Sequence, residues 1–421
     1  MSNSSAKFGK SSACAQALSL IQRCCTVDGF LASPTEHANY RRIWARDGVI
    51  ISLAALMAND AQLQQGVRNT LKTLARYQGP HGEIPSNVDT VTQRVSYGGT
   101  TGRVDASLWF IIGCGEYWQA SGDNAFIEEY YPVLEKVRYL IGAWEFNNRG
   151  LIYVPQAGDW ADEYLQSGYV LYDQLLYLQA QRTLYKIQSY IQQTEDHLFL
   201  ERITHLKHLI QKNYWLHDNG DQVNNVYHNV LYEKGLRATE SCVDNYWLPF
   251  FLPTGYGYRF DAFANVLASL FNVANPQQTD LVDSYISNIV NPELPLLPAF
   301  YPVIKPKDAD WDELQMTFSY TFKNNPYEYH NGGLWPMITG FYVADLAQRR
   351  KNSDAERYLD AIDSGNSLGK NGEQWSFYEY LHGRDLTPGG TCQLGWSAAA
   401  TVIGHHSLKN EQLFRVSESD G

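Results

Sequence analysis

The sequence predicts an all-α protein built as a closed double ring of helices, an (α/α)6 toroid. Three observations carry this. Apolar residues recur at spacings of three and four along most of the chain, no block of strict alternation competes with them, and glycine, proline and asparagine cluster between the helical stretches. Short turns alternate with longer loops rich in aromatic and acidic residues. That arrangement suits a ring whose inner helices aim one end at a central cleft.

The first amphipathic stretch covers 13–25 and the second 47–58, where Val49, Ile50, Leu53 and Leu56 form the apolar stripe. A third, 67–77, repeats the spacing with Val67, Leu71, Leu74 and Ala75. Further helices are expected over 104–120, 124–145, 167–190, 195–214, 241–252, 260–271, 278–291, 334–349, 355–366 and 392–408. Turn segments separate them, among them Gly79-Pro80-His81-Gly82, Asn147-Asn148-Arg149-Gly150, Asn325-Pro326 and Leu386-Thr387-Pro388-Gly389-Gly390. No Pro/Ser-rich linker divides the chain, so residues 1–421 are expected to form one catalytic domain with short polar tails.

With 421 residues, 44% of them hydrophobic and 19% charged, the chain has the material for a large core. A net charge of −12 argues against nucleic acid and anionic membrane surfaces as partners, because both demand basic patches. The rings are abundant: 11 Trp, 29 Tyr and 17 Phe. A large core accounts for many of them, and a sugar cleft, which uses rings with an apolar face and a polar edge, accounts for an excess of Trp and Tyr. The six cysteines have neither disulfide-scaffold nor metal-ligand spacing. Reduced thiols, a polar start over 1–9 and no apolar run of membrane-spanning length predict a cytoplasmic protein.

Cleaving a glycosidic bond takes one carboxylic acid to protonate the leaving oxygen and one carboxylate to activate water or attack the sugar. Two distant segments offer such groups among aromatic rings. In Gly158-Asp159-Trp160-Ala161-Asp162-Glu163-Tyr164, each of Asp159, Asp162 and Glu163 is a candidate acid, and helix capping explains any single one of them as well. In Gln374-Trp375-Ser376-Phe377-Tyr378-Glu379-Tyr380, Glu379 lies between two tyrosines with Trp375 and His382 close by, and Glu373 is a second candidate base.

Three more segments carry polar groups suited to sugar hydroxyls. Trp44-Ala45-Arg46-Asp47 sets a guanidinium beside an indole and a carboxylate, although Asp47 also reads as a helix cap. Gly102-Arg103-Val104-Asp105 opens an apolar helix in the same way. His330-Asn331-Gly332-Gly333-Leu334-Trp335-Pro336 places hydrogen-bonding side chains on a turn before another helix. There is no phosphate-binding glycine loop, His-Glu-x-x-His or Gly-x-Ser-x-Gly motif, so no metal or cofactor is expected.

Taken in order, these segments resemble the catalytic domain of amylo-α-1,6-glucosidase-type glycogen debranching enzymes. They also resemble the alkaline/neutral invertases and the glucosidase–mannosylglycerate hydrolase group. The likeness rests on Trp44-Ala45-Arg46-Asp47, Val104-Asp105-Ala106-Ser107-Leu108-Trp109-Phe110, Trp160-Ala161-Asp162, His330 to Pro336, Tyr378-Glu379-Tyr380-Leu381-His382-Gly383 and Cys392-Gln393-Leu394-Gly395-Trp396. It implies the (α/α)6 toroid, inversion at the anomeric carbon, Asp162 as acid and Glu379 as base. It further implies that Arg46, Asp47, Asp105, His330, Asn331 and Trp335 grip the terminal sugar, with Trp44, Arg103, Trp160, Trp375, Tyr378 and Trp396 completing the binding surface. The accessory amino-terminal domain of debranching enzymes has no counterpart here, so a small carbohydrate is expected rather than a polymer.

The resulting expectation is an inverting hydrolase that releases a terminal sugar, glucose foremost. Sucrose, a short α-1,6-oligosaccharide or a glycosylglycerate are the substrates considered. Asp162 is expected to be protonated at rest, its pKa raised by Trp160 and neighbouring charge. Two rivals remain. One is a sugar epimerase or isomerase on the same ring, working through His330, His382, His405 and His406; the other is a non-catalytic carbohydrate-binding protein.

Overall fold

The computed structural model describes residues 10–216, 225–242, 245–318, 320–370 and 372–416. The start over 1–9 and the tail beyond 416 lie outside the described residues. Along the chain the helices alternate between an outer and an inner layer. The outer layer holds α1 (Lys10–Cys24), α3 (Ala61–Arg76), α5 (Asn124–Ala143), α7 (His197–Tyr214), α10 (Pro276–Ile289) and α13 (Asn352–Ser367). The inner layer holds α2 (Ala45–Ala58), α4 (Val104–Ser121), α6 (Leu171–Gln192), α9 (Ala262–Leu270), α12 (Pro336–Gln348) and α14 (Gly395–Ser407). Each inner helix packs on the next, α2–α4–α6–α9–α12–α14, and α14 packs back on α2 to close the ring. Two further helices, α8 (Asn229–Cys242) and α11 (Trp311–Gln315), belong to the connections.

Sequence explains the layering. Outer helices are one-sided: α3 buries Leu63, Gly66, Val67, Thr70, Leu71 and Leu74 and leaves its other face to solvent. Inner helices are buried nearly all round, as in α12, where every residue from Pro336 to Ala347 is buried. Packing one small residue against another lets them approach closely. A methyl added at Gly340 of α12 would come within 2.6 Å of the Ala400 Cα in α14.

The two layers also begin differently. Asp60, Asp123, Asp196 and Asn275 cap the outer helices α3, α5, α7 and α10 through their side chains. The inner helices α2, α4, α6, α12 and α14 follow extended residues (Trp44, Arg103, Val170, Trp335, Leu394) whose side chains make no capping bond. Their free N–H groups and positive dipole ends therefore gather at one face of the ring. Buried acids answer that charge there: Asp47, Asp105 and Asp173 in first turns, and Asp261 as the cap of α9.

Short antiparallel pairs pin the loops at this face. Ile43–Trp44 pairs with Asn87–Asp89, Tyr169–Val170 with Phe250–Leu252, Phe260–Asp261 with Phe300–Tyr301, and Tyr380–Leu381 with Pro388–Gly389. One expectation fails here. The helix expected over 241–252 is not formed: α8 ends at Cys242, residues 243–244 lie outside the described residues, and Phe250–Leu252 is a strand. Pro249 lacks the N–H a helix needs and biases Leu248 toward extended backbone, and pairing with Tyr169–Val170 completes the strand.

Candidate active site

The first group on this face comes from the starts of α2 and α4. The Arg46 guanidinium donates to the Asp105 carboxylate at 2.8 Å, with both residues buried, and lies 5.6 Å from the centroid of the Trp396 ring. Tyr172 of α6 also donates to Asp105, at 3.3 Å. Asp47 is not a cap. Burial pushes its carboxyl up to about 6, against the pull of Arg46. Trp44 pairs across from Asn87 and donates its indole N–H to the Asn39 carbonyl at 3.0 Å.

The second group is the loop before α6. Asp162 accepts from Arg103 at 2.6 Å, and its side chain keeps 22% exposure. Arg103 also holds the Ala157 carbonyl of the same loop. Trp160 sits in a cluster of rings, stacked on Phe300 at 5.8 Å and meeting His330 at 5.0 Å and Trp335 at 5.5 Å edge-on. It is 1% exposed and braces the loop from behind. The neighbouring charge at Asp162 is thus the Arg103 guanidinium. Asp159 and Glu163, the other candidates, are buried. Burial and the nearby Asp105 and Asp261 hold the Asp159 carboxyl well above the ordinary range.

The third group precedes α12. His330 is buried between Tyr329 (4.0 Å) and Trp335 (5.5 Å), and burial lowers its pKa to about 3, so the ring is neutral. Asn331 spends its amide on main chain: it accepts from Ile304 N at 2.7 Å and donates to the carbonyls of Ile304 at 2.8 Å and Asn324 at 3.0 Å. Trp335 is fully buried and donates to the Tyr329 carbonyl at 3.1 Å.

The fourth group surrounds Glu379. Its carboxylate accepts from the Tyr40 hydroxyl at 2.8 Å and from Thr391 N at 3.2 Å. It is 3% exposed, and burial pushes its pKa up to about 7 despite those bonds and the pull of Lys323. Trp375 packs on Phe377 at 5.9 Å, and Tyr378 lies under the Lys370 ammonium at 5.3 Å. Trp396 is buried at the start of α14.

These groups meet. Asp162 and Glu379 both raise the pKa of the Tyr40 phenol and of the Tyr329 phenol, and Asp47 is felt at Glu379. Side chains 217 positions apart in sequence (379 − 162) therefore act electrostatically on the same two tyrosines, one of which, Tyr40, is bonded to Glu379. The other histidines lie elsewhere. His382 pairs with Asp385, while His405 and His406 stand in the last turn of α14, at the opposite end of the ring, bonded to Asp363 and Glu411. Among the described residues no three His, Cys, Asp or Glu side chains converge as metal ligands. Nor is any helix there long and apolar enough to cross a membrane.

Sequence reading singled out neither Tyr40, Tyr172, Lys323 nor Asp261 as site residues. The available signal was repetition: an acid at the entry of each of α2, α4, α6 and α9 (Asp47, Asp105, Asp173, Asp261). Capping explains any one of them. Four in register on one layer point at a common face.

Such a double helical ring is the fold of several solved carbohydrate-active proteins. A bacterial glucoamylase in complex with acarbose superposes with a TM-score of 0.67 at 14% identity, covering 97% of this chain and 57% of that one. The GH63 mannosylglycerate hydrolase from Thermus thermophilus gives 0.60 at 14% identity, over 93% and 99%. The protein is a glycoside hydrolase of the toroidal class. More particularly, the chain belongs to the alkaline and neutral invertase family, which matches residues 16–410. Curated relatives include Cytosolic invertase 1 of Oryza sativa, 25% identical over 85% of this chain and 73% of its own length. Probable alkaline/neutral invertase F of Arabidopsis thaliana is 22% identical over 90% and 82%.

Proposed function

We propose that the chain is an inverting hydrolase of small α-glucosides, with sucrose as its first substrate, in which Asp162 is the general acid and Glu379 the general base. The observation that carries this reading is the pairing of two unlike carboxylates around Tyr40 and Tyr329. Names of the rice and Arabidopsis relatives support sucrose over the α-1,6-oligosaccharide and the glycosylglycerate. A hydrophobic cluster that runs from Ala13 to Leu413 through all inner helices supports a single catalytic domain.

In this reading Asp162 reaches the glycosidic oxygen from the partly open side, having accepted a proton in place of its bond to Arg103. Glu379 takes a proton from water on the opposite face of the ring. Arg46, held by Asp105, and Asp47 hold the hydroxyls of the terminal glucose. Asn331, with its amide already committed, positions the loop that carries His330. Neutral His330 offers an unpartnered Nδ1. Trp160 and Trp335 support that loop from behind. An inverting pair stands roughly 6.5–9.5 Å apart, with room for the water.

The environments favour a second reading with the roles exchanged, since Glu379 is the carboxyl raised to about 7 and Asp162 the one beside a guanidinium. One experiment separates them after a screen of α-linked disaccharides has shown hydrolysis. α-Glucosyl fluoride needs no proton on its leaving group. With Asp162 as acid, Asp162→Asn keeps much of its activity on the fluoride and Glu379→Gln loses it. The opposite pattern assigns the exchanged roles, and wild-type turnover in both variants sinks the whole reading.

A further inference from the structure

A cavity of about 640 Å³ opens beside the Asp162–Glu379 group and not within it. Its walls are the Phe250–Leu252 strand with Tyr256 and Tyr258, the loop from Tyr164 to Ser167, and Phe300–Tyr301. Arg103, Asp162, Tyr40 and Glu379 are absent from its lining. A partition of stacked rings separates the two: Tyr164 lies on Phe300 at 4.3 Å, and Phe300 on Trp160 at 5.8 Å.

Two features of the lining specify an occupant. Tyrosine rings dominate it, with Tyr246 and Tyr285 joining those named. Among the described lining residues no cation is spare, because Arg259 is paired with Asp310 at 2.5 Å and Glu313 adds a negative charge at the rim. A volume of this size suits a small ligand.

We propose that this cavity is a second carbohydrate site, binding a neutral mono- or disaccharide whose ring faces lie on the tyrosines that line it. Anionic sugars are disfavoured by Asp310 and Glu313. The inference does not depend on the roles given to Asp162 and Glu379.

The test is a crystal of the full, unmutated chain soaked with glucose or maltose, together with calorimetric titration by the same sugars and by glucose 6-phosphate. Sugar density in the cavity is expected, with a second binding event that Tyr258→Ala weakens about tenfold while leaving kcat on sucrose and the Tm unchanged. Water alone in the cavity, at sugar concentrations that fill the Asp162–Glu379 hollow, overturns the proposal and leaves the hydrolase reading intact. Tighter binding of glucose 6-phosphate than of glucose in the cavity overturns it too. Sugar in neither place, with no hydrolysis, is the separate failure of both.

Discussion

Asp162 and Glu379 stand on loops of opposite character. Asp162 is partly open, ion-paired with Arg103, and carried on a loop braced from behind by Trp160. Glu379 is closed in, held by one hydroxyl and one N–H, and raised to about 7 by burial. One carboxylate stands in an ion pair it could exchange for another partner, the other in a closed cage whose burial raises its pKa.

The largest effect that sharpens this contrast is loss of either carboxyl: Asp162→Asn and Glu379→Gln are each expected to lower kcat on sucrose by about 10²–10⁴-fold. A smaller, directional effect belongs to Tyr40. Its hydroxyl favours the ionised Glu379, so Tyr40→Phe removes that support. In its proposed role of base Glu379 must be deprotonated, and activity is then expected to fall as the pH drops through about 7. In Tyr40→Phe that limb moves to higher pH with about tenfold lower kcat at pH 7. A pH–rate profile with the limb unmoved breaks the link between the two residues.

Stability draws the same line. The pKa of Glu379 is raised on folding, so its stabilising share is full at low pH and is lost as the pH rises through about 7. Glu379→Gln is therefore expected to raise Tm at pH 8 and to leave it nearly unchanged at pH 4, read by calorimetry. Asn331→Ala, by contrast, strands Ile304 N and two carbonyls and should lower stability by about 1–3 kcal/mol at either pH.

Much of this was legible before any coordinates. The stripe of Val67, Leu71 and Leu74 gives an outer helix its one-sided face, and nearly continuous apolar runs such as Phe341 to Leu346 mark an inner one. Strand Phe250–Leu252 was not legible, because a short apolar run beside Pro249 reads as helix or strand until its partner at Tyr169–Val170 is known. The site shows the same limit. The rings beside Asp162 and Glu379 could be read in the sequence, but Arg103 at Asp162 and Tyr40 at Glu379 are contacts across 59 and 339 residues. Pattern within a segment cannot supply such partners. Nor could it show that the Asn331 amide is already spent, whatever its place beside His330.

The most direct test of two carboxylates acting from opposite faces is the anomer that appears first. Proton NMR of the earliest sucrose hydrolysis should show β-glucose before mutarotation mixes the two forms. If α-glucose is released first, the water does not come from the face of the sugar opposite the leaving group, and Glu379 is not its base.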